Sequence, residues 1–392
     1  MFEICEPVDM CPPRIRSSLK VLYFGTYDES YPRNRIMIQG LRSEGVEVVE
    51  CHAHLWKNTE EKVNAASTTR RWFSLAKRAA QSYARLLRMY WPLRRSYDAM
   101  MLGYTGQFDV FLARLLTLLA KRPLVLDVFV SIYLASFERG LQGSKLLRWV
   151  ESIACRLPDM LIIDTIEYVE WFQHTYGISR TRFRLVPLGA DNSVFKPLPR
   201  SEPDGTFRVL YQGKFIPLHG VEYIIQAADL LRREQGIRFE LIGRGPMFQK
   251  AQALAADLGL NQVLFSGWLD QQALPARIAA ADIVLGVFGT TEASNRTFPN
   301  KIYQALAMAR PLVTGDLPAV RSVLSHGQNA YLVEPANPEA LANAILALRS
   351  NPDLRACLAD AGYRLYIENF TIQAIGRKTR QHLEELVCSW GK

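Results

Sequence analysis

The sequence predicts an α/β protein built from two Rossmann-like, doubly wound domains whose parallel sheets face each other across a cleft. Three observations carry this. The apolar runs PLVLDVFV (123–130) and MLIIDT (160–165) are near-continuous rather than alternating, as expected for parallel strands covered on both faces. After Phe207, strand and helix patterns alternate very regularly. Between the halves, VPLGADNSVFKPLPRSEPDGT carries four Pro and two Gly and reads as a domain boundary. A chain of 392 residues is also too long for one ordinary core.

The elements follow in order. LKVLYFGTY is a β-branched and aromatic strand, NRIMIQGLRSEG has helical spacing, and VEVVEC is a second strand. Beyond the boundary, strand FRVLYQG leads to helix GVEYIIQAADLLRRE, and strand IRFELIG leads to helix QKAQALAADLG. VLFSGWL, LPARIAAAD and IVLGVFG continue the pattern. The helix in TFPNKIYQALAMARPLV, the strand PLVTGD, then LPAVRSVLS, AYLVEP and PEALANAILALRS complete it. Pro352 to Trp390 reads as two helices with no strand after them. The expected domains are 1–200, with a basic amphipathic segment at 62–97, then 201–370, and a C-terminal helix at 371–392 packing back towards the first domain.

Composition narrows the class. The chain is 49% hydrophobic with a net charge of +9, which suits a soluble globular protein. MFEICEPVDMCPP has no basic n-region followed by an apolar run, so no signal peptide is expected. The most apolar window, around residues 110–135, is broken by Arg114, Lys121, Arg122 and Asp127 and is not expected to span a bilayer. The six Cys form no CxxC pair and no zinc-like spacing with His, which points to reduced thiols in a cytoplasmic protein and to no metal site.

Candidate site residues lie where such folds bind ligands, at the carboxyl ends of strands. Gly243-Arg244-Gly245 follows a strand, but Phe248 stands where a dinucleotide fingerprint needs its third Gly, so a nicotinamide or flavin cofactor is not expected. The triplet fits either a tight turn or a close ligand approach with Arg244 facing an anion. Gly213-Lys214 ends another strand and fits either a phosphate contact or a surface Lys. Phe298, Pro299, Asn300 and Lys301 open a helix whose free N–H groups and dipole suit an anion. The dipole alone disfavours Lys301 there, so an anion accounts for it. Gln304, one turn on, suits ribose or sugar hydroxyls. No Asp-x-Asp is placed to hold a metal-bound diphosphate, so a bound diphosphate would be neutralised by Lys and helix dipoles without metal.

Taken in order, YQGKFIPLHGVEYIIQAADLL, LIGRGP, VLFSGWL, ADIVLGVFG and FPNKIYQALAMARPLVTGD resemble the donor domain of glycosyltransferase family 4, retaining enzymes of the GT-B fold. VPLGADNSVFKP resembles the interdomain motif of that family, and the first half resembles a bacterial and archaeal subset of it; together these cover most of residues 19–388. The resemblance implies a nucleoside-diphosphate sugar as donor and a glycan or lipid-linked acceptor in cell-surface polysaccharide or glycolipid synthesis. It implies no cofactor. It assigns Lys214, Lys301 and His219 to the departing diphosphate, Gly213, Gly243, Arg244, Gly245, Phe298, Pro299, Asn300 and Gln304 to the donor, and backbone around Ser266–Leu269 to the base. Two positions depart from the family pattern. The first Glu of its pair aligns near Arg296 and is missing, while the second aligns with Gln304. The second phosphate Lys aligns with His219, which fits equally a helix-capping His. On the acceptor side the candidates are Gly25, Asp28, Arg33, Asn34, Arg35 and Asp127, at or after strand ends of the first domain.

From Lys62 to Arg95 there is no Asp or Glu. As a helix, this segment sets Trp72, Leu75, Tyr83, Leu86 and Tyr90 against Arg70, Lys77, Arg78, Arg85 and Arg88, with Arg71 adjoining. That pattern suits an anionic membrane surface, and therefore a peripheral location on the inner face of the cell membrane, better than nucleic acid. An ordinary surface helix with its apolar face on the core also explains the stripe. Another GT-B sugar-nucleotide enzyme, such as an epimerase, and a non-catalytic membrane-bound scaffold stay open beside the transferase.

Overall fold

The computed structural model describes residues 19–55, 72–138, 145–199 and 205–390. The first domain is one parallel sheet of six strands, β1 (Lys20–Gly25), β2 (Glu47–His52), β3 (Ala99–Leu102), β4 (Leu124–Phe129), β5 (Met160–Ile163) and β6 (Phe183–Leu185), in the order β2-β1-β3-β4-β5-β6. Its helices are α1 (Pro32–Ser43), α2 (Trp72–Leu93), α3 (Val110–Ala120), α4 (Ile132–Glu138), α5 (Lys145–Ala154) and α6 (Ile166–Tyr176). The second domain repeats the plan with β7 (Phe207–Gln212), β8 (Ile237–Ile242), β9 (Val263–Ser266), β10 (Ile283–Leu285), β11 (Leu312–Gly315) and β12 (Tyr331–Val333), in the order β12-β11-β10-β7-β8-β9. Around it run α7 (Val221–Leu230), α8 (Phe248–Asp257), α9 (Leu274–Ala280), α10 (Glu292–Arg296), α11 (Asn300–Ala307), α12 (Pro318–Arg321), α13 (Pro338–Ser350) and α14 (Pro352–Asn369).

Both faces of both sheets are covered, which is why the strands read as apolar runs. Leu22 and Phe24 of β1 join a core with α2, α3 and α6, whereas Val21 and Tyr23 join one with α1. Phe207, Val209 and Tyr211 of β7 point to α7 and α13, and Leu210 points to α11. Strands β3 (AMML) and β6 (FRL) were not identified from the sequence: neither carries a Val or Ile, the β-branched residues that mark the other short strands.

The last helix, α15 (Ile372–Ser389), lies along α1, crossing it where Gly40 meets Gly376, and Thr379 donates to Met37 Sδ at 3.3 Å. Further bonds tie the domains. Arg35 Nη2 reaches Gln271 Oε1 at 3.0 Å, and the Thr165 hydroxyl donates to Arg296 O at 2.8 Å. The strand order reverses beside β1 in one sheet and beside β7 in the other, and each reversal opens a crevice at the carboxyl ends of its strands. No helix among the described residues is long and apolar enough to cross a membrane. The four described cysteines, Cys51, Cys155, Cys357 and Cys388, are unpaired.

Candidate active site

The crevice of the second domain opens between β7 and β10. β7 runs straight into Gly213 and Lys214, and α11 delivers Lys301 to the same point from beyond β10. Lys301 is only 4% exposed, and its Nζ sits 3.8 Å from the centre of the Tyr211 ring and 3.2 Å from His219 Nδ1. This placement requires Gly213, with φ at +146°, because a Cβ there would lie 2.8 Å from Lys301 Nζ. Burial holds the Lys301 pKa well below its usual value. Away from water and with the Tyr211 ring and His219 beside it, the charged form of this amine is disfavoured.

His219 lies in the turn before α7. Its Nδ1 is 2.5 Å from Lys214 O, so the ring donates Nδ1–H to that carbonyl, which also accepts from the Tyr211 hydroxyl at 2.9 Å. Burial, and after it the Lys301 charge, push the His219 pKa well below normal. The imidazole is therefore neutral and braces the loop that presents the exposed Lys214 side chain. Next to it, Phe215 N–H donates to Arg244 O at 2.9 Å and Met247 N–H donates to Phe215 O at 3.0 Å, stitching the Gly213 and Gly243 turns together. A Cβ at Gly245 would lie 2.4 Å from Phe215 O, so the triplet needs glycine for this packing, and Arg244 is left exposed beside Gly267.

Gln304 is buried, and its Oε1 accepts from Gln212 Nε2 at 2.6 Å. That bond takes one of the two lone pairs on the oxygen, and the amide N–H groups add donors beside it. Pro299 caps α11, and Asn300 holds a buried Oδ1 with no hydrogen-bond partner. Phe298 differs from expectation. Its ring is 1% exposed and packs on Tyr303 at 4.8 Å, so any donor contact there is through backbone.

The acceptor-side expectations need more correction. Arg33 and Asp127 are 1% and 0% exposed and form a bidentate pair, Nε–Oδ2 at 2.7 Å and Nη2–Oδ1 at 3.0 Å, while Arg33 Nη1 also bonds the carbonyls of Val186 and Pro187. Burial pushes the Asp127 pKa up and Arg33 draws it back, and the two-point geometry is that of an ion pair. The pair clamps α1 and β4 to the interdomain segment, out of reach of an acceptor. Asn34 is equally committed: Nδ2 bonds Asp28 O and Tyr104 O, and Oδ1 accepts from the Tyr23 hydroxyl. Arg35 bridges the domains. Gly25 abuts the Asp109 carboxylate, and Asp28 Oδ1 closes a local turn on Ser30. Gly25 is thus buried at the end of β1, and Asp28 is half-buried just beyond it.

The residue that was missed is Asp164, at the end of β5. Both of its carboxylate oxygens are buried, and neither accepts a hydrogen bond from another residue. Burial raises its pKa to about 7, with Arg33 opposing. A single Asp after MLII gives no sequence signal; only the folded chain shows it unsatisfied between the domains. Because the folded state holds this proton more tightly than the unfolded chain, its contribution to stability falls as pH rises from about 4 to 7. Asp164→Asn is therefore expected to raise the unfolding midpoint increasingly from pH 5 to pH 8. A difference from wild type that stays constant with pH would overturn this.

On α2, Leu86 and Tyr90 are buried and the Tyr83 hydroxyl donates to Asp109 at 2.8 Å, so the apolar stripe packs on the domain core. Lys77, Arg85 and Arg88 are exposed, and Arg78 is exposed and bonds Leu55 O. Arg70 and Arg71 lie outside the described residues, and of Trp72 only its place at the start of the helix is described. Sequence reading also missed that Glu29, His52 and His54 converge within 4.8 Å.

Residues 206–351 match the family described as glycosyl transferases group 1. The chain is 25% identical over 272 residues to an alpha-D-kanosaminyltransferase of Streptomyces kanamyceticus, covering 65% of this chain and 68% of that protein. It is 24% identical over 241 residues to an MMP alpha-(1->4)-mannosyltransferase of Mycolicibacterium hassiacum, covering 60% of this chain but only 56% of that one. The fold matches Anabaena HepE in complex with UDP, with a TM-score of 0.70, 16% identity, and coverage of 94% of this chain and 100% of that one. It also matches a sucrose-phosphate synthase of Thermosynechococcus elongatus, with a TM-score of 0.72, 16% identity, and coverage of 95% and 100%. The two facing parallel sheets are thus the GT-B fold.

Proposed function

We propose that this chain, a GT-B protein with a group 1 glycosyl transferase domain at residues 206–351, moves a sugar from a nucleoside-diphosphate sugar to a glycan or lipid-linked acceptor, with retention at the anomeric carbon. The observation that carries the reading is Lys301, a desolvated amine at the first turn of α11 in the crevice beside β7, with Lys214 on the adjoining turn. A diphosphate set there meets helix N–H groups and two amines already in place. Such charge stabilises the leaving group as the glycosidic bond breaks. With this neutralisation the diphosphate needs no metal and the reaction no cofactor. Gln304 N–H groups face the ribose, Arg244 the phosphates, and backbone around Ser266–Leu269 the base. The unsatisfied oxygens of Asp164 and Asn300 suit sugar hydroxyls. UDP bound to HepE makes uridine nucleotides the first to try.

The test is thermal unfolding with UDP, GDP, ADP, CMP and their sugars, without metal. One nucleotide is expected to raise the midpoint, since a ligand of the native state stabilises it. If none does, the non-catalytic scaffold replaces the transferase. If a nucleotide sugar binds but is turned over only to free nucleotide diphosphate without transfer to any acceptor, an epimerase-type enzyme replaces it.

The peripheral membrane location rests on the outside of the helical layer over the first sheet. Leu115 and Leu119 of α3, Trp91 of α2 and Trp149 of α5 are 56–76% exposed there, beside Arg85, Arg88 and Arg148. Exposed apolar side chains interleaved with cations suit the anionic inner face of a cell membrane. Flotation with vesicles containing anionic phosphatidylglycerol is expected to carry the protein up, while Leu119→Glu with Trp149→Glu abolishes this. Equal flotation of the variant, or none with wild type, rejects the surface.

A further inference from the structure

Far along the chain from the donor cluster, three side chains at the carboxyl end of the first sheet converge on one point. His52 ends β2, His54 follows two residues later, and Glu29 comes from the loop between β1 and α1. His52 Nε2 lies 3.2 Å from His54 Nδ1 and 3.5 Å from Glu29 Oε1. All three ligand atoms fall within 4.8 Å of one another. In a tetrahedral zinc site, with bonds of about 2.0–2.2 Å, neighbouring ligand atoms stand about 3.3 Å apart. Two of the three edges therefore already have the length a bound ion would impose. Glu29 and His54 are exposed enough to close the third by turning their side chains.

A second observation concerns the tautomer. His52 Nδ1 lies 3.1 Å from Gly25 O, so it donates its N–H to that carbonyl. The Nε2 lone pair is thereby aimed at His54 and Glu29. A backbone carbonyl holding the far nitrogen in this way is how proteins usually orient a metal-binding imidazole. The Tyr27 ring, centred 4.4 Å from that of His52, packs against it and fixes its plane.

We propose that Glu29, His52 and His54 bind one divalent ion of the zinc class through two imidazole nitrogens and one carboxylate oxygen, leaving a fourth position for water or a substrate oxygen. Two nitrogens and one oxygen suit zinc, cobalt or nickel better than magnesium or calcium. The inference is independent of the donor chemistry, since the sites belong to different domains.

The experiment titrates Co²⁺ into the full chain, stripped with a chelator, and follows visible absorption, then displaces it with Zn²⁺ against a chromophoric chelator. One equivalent should bind with the intense bands of a four-coordinate site. His54→Ala and Glu29→Gln, both at exposed positions that preserve folding, should each weaken Zn²⁺ at least about tenfold. The unfolding midpoint should rise with Zn²⁺ in wild type and not in His52→Ala. No stoichiometric binding, or affinity unchanged in both surface variants, overturns the site. The 3.2 Å contact is then only an N–H···N bond between two histidines. The response to nucleotides is measured on the same samples, so failure here is distinguishable from failure of the transferase reading.

Discussion

Lys214→Ala is expected to lower turnover by about 10²–10³-fold while leaving the unfolding midpoint in place, because the side chain is exposed and removes one preorganised charge from the leaving group. Near-normal turnover would sink the assignment. Lys301→Met keeps the buried stem and is expected to abolish the nucleotide-induced rise in midpoint. Lys301 also carries a pH signature. Its pKa is depressed in the free protein by desolvation, and a bound diphosphate restores the charged form. Binding therefore takes up a proton, and affinity falls as pH rises. Calorimetry at pH 8 in two buffers of different ionisation enthalpy reads this uptake directly. The same heat in both buffers, with affinity flat from pH 7 to 9, would show that Lys301 does not meet the diphosphate.

Arg33→Met is expected to cost roughly 3–5 kcal/mol in urea unfolding, the usual consequence of leaving one member of a buried ion pair behind. Two carbonyl contacts, to Val186 and Pro187, are lost with it. The double variant Arg33→Met/Asp127→Leu removes the stranded carboxylate and should recover a large part of that loss. A loss under about 1 kcal/mol for the single variant would mean that the pair does not clamp the first domain to the interdomain segment. Were Arg33 instead an acceptor ligand, the variant would unfold normally and fail only in turnover, so stability separates the two roles.

The placement of the second-domain candidates was largely legible because their signals are local. Gly213-Lys214, Gly243-Arg244-Gly245 and Pro299-Asn300-Lys301 each sit where a strand ends or a helix begins, and strand ends and helix starts show in the pattern of a sequence. The acceptor side was not. Arg33, Asn34 and Asp127 are polar residues at strand ends or the start of a helix, the same signature as a ligand contact. Whether such a residue faces the crevice or a buried partner depends on what lies opposite, and for Arg33 that is a carboxylate 94 positions away. Asp164 and the Glu29–His52–His54 cluster failed in the opposite sense: Asp164 has no marking neighbour in the chain, and the His-x-His pair at 52–54 lacks its third member, Glu29, until the chain folds.

The sequence by itself determined the two doubly wound sheets, their order along the chain and the strand ends and helix start that meet at the crevice of the second domain. Periodicity of burial and the turn chemistry of Gly and Pro are short-range properties, written within a few residues of where they act. Only the tertiary structure decided which polar groups are paired. It turned the apolar stripe of α2 inward, bonded the Gln304 oxygen to Gln212, spent Arg33 on Asp127 and buried Lys301 beside Tyr211 and His219. Pairing depends on distances between residues far apart in sequence, and the cost of burying a charge is known only once its surroundings are assembled.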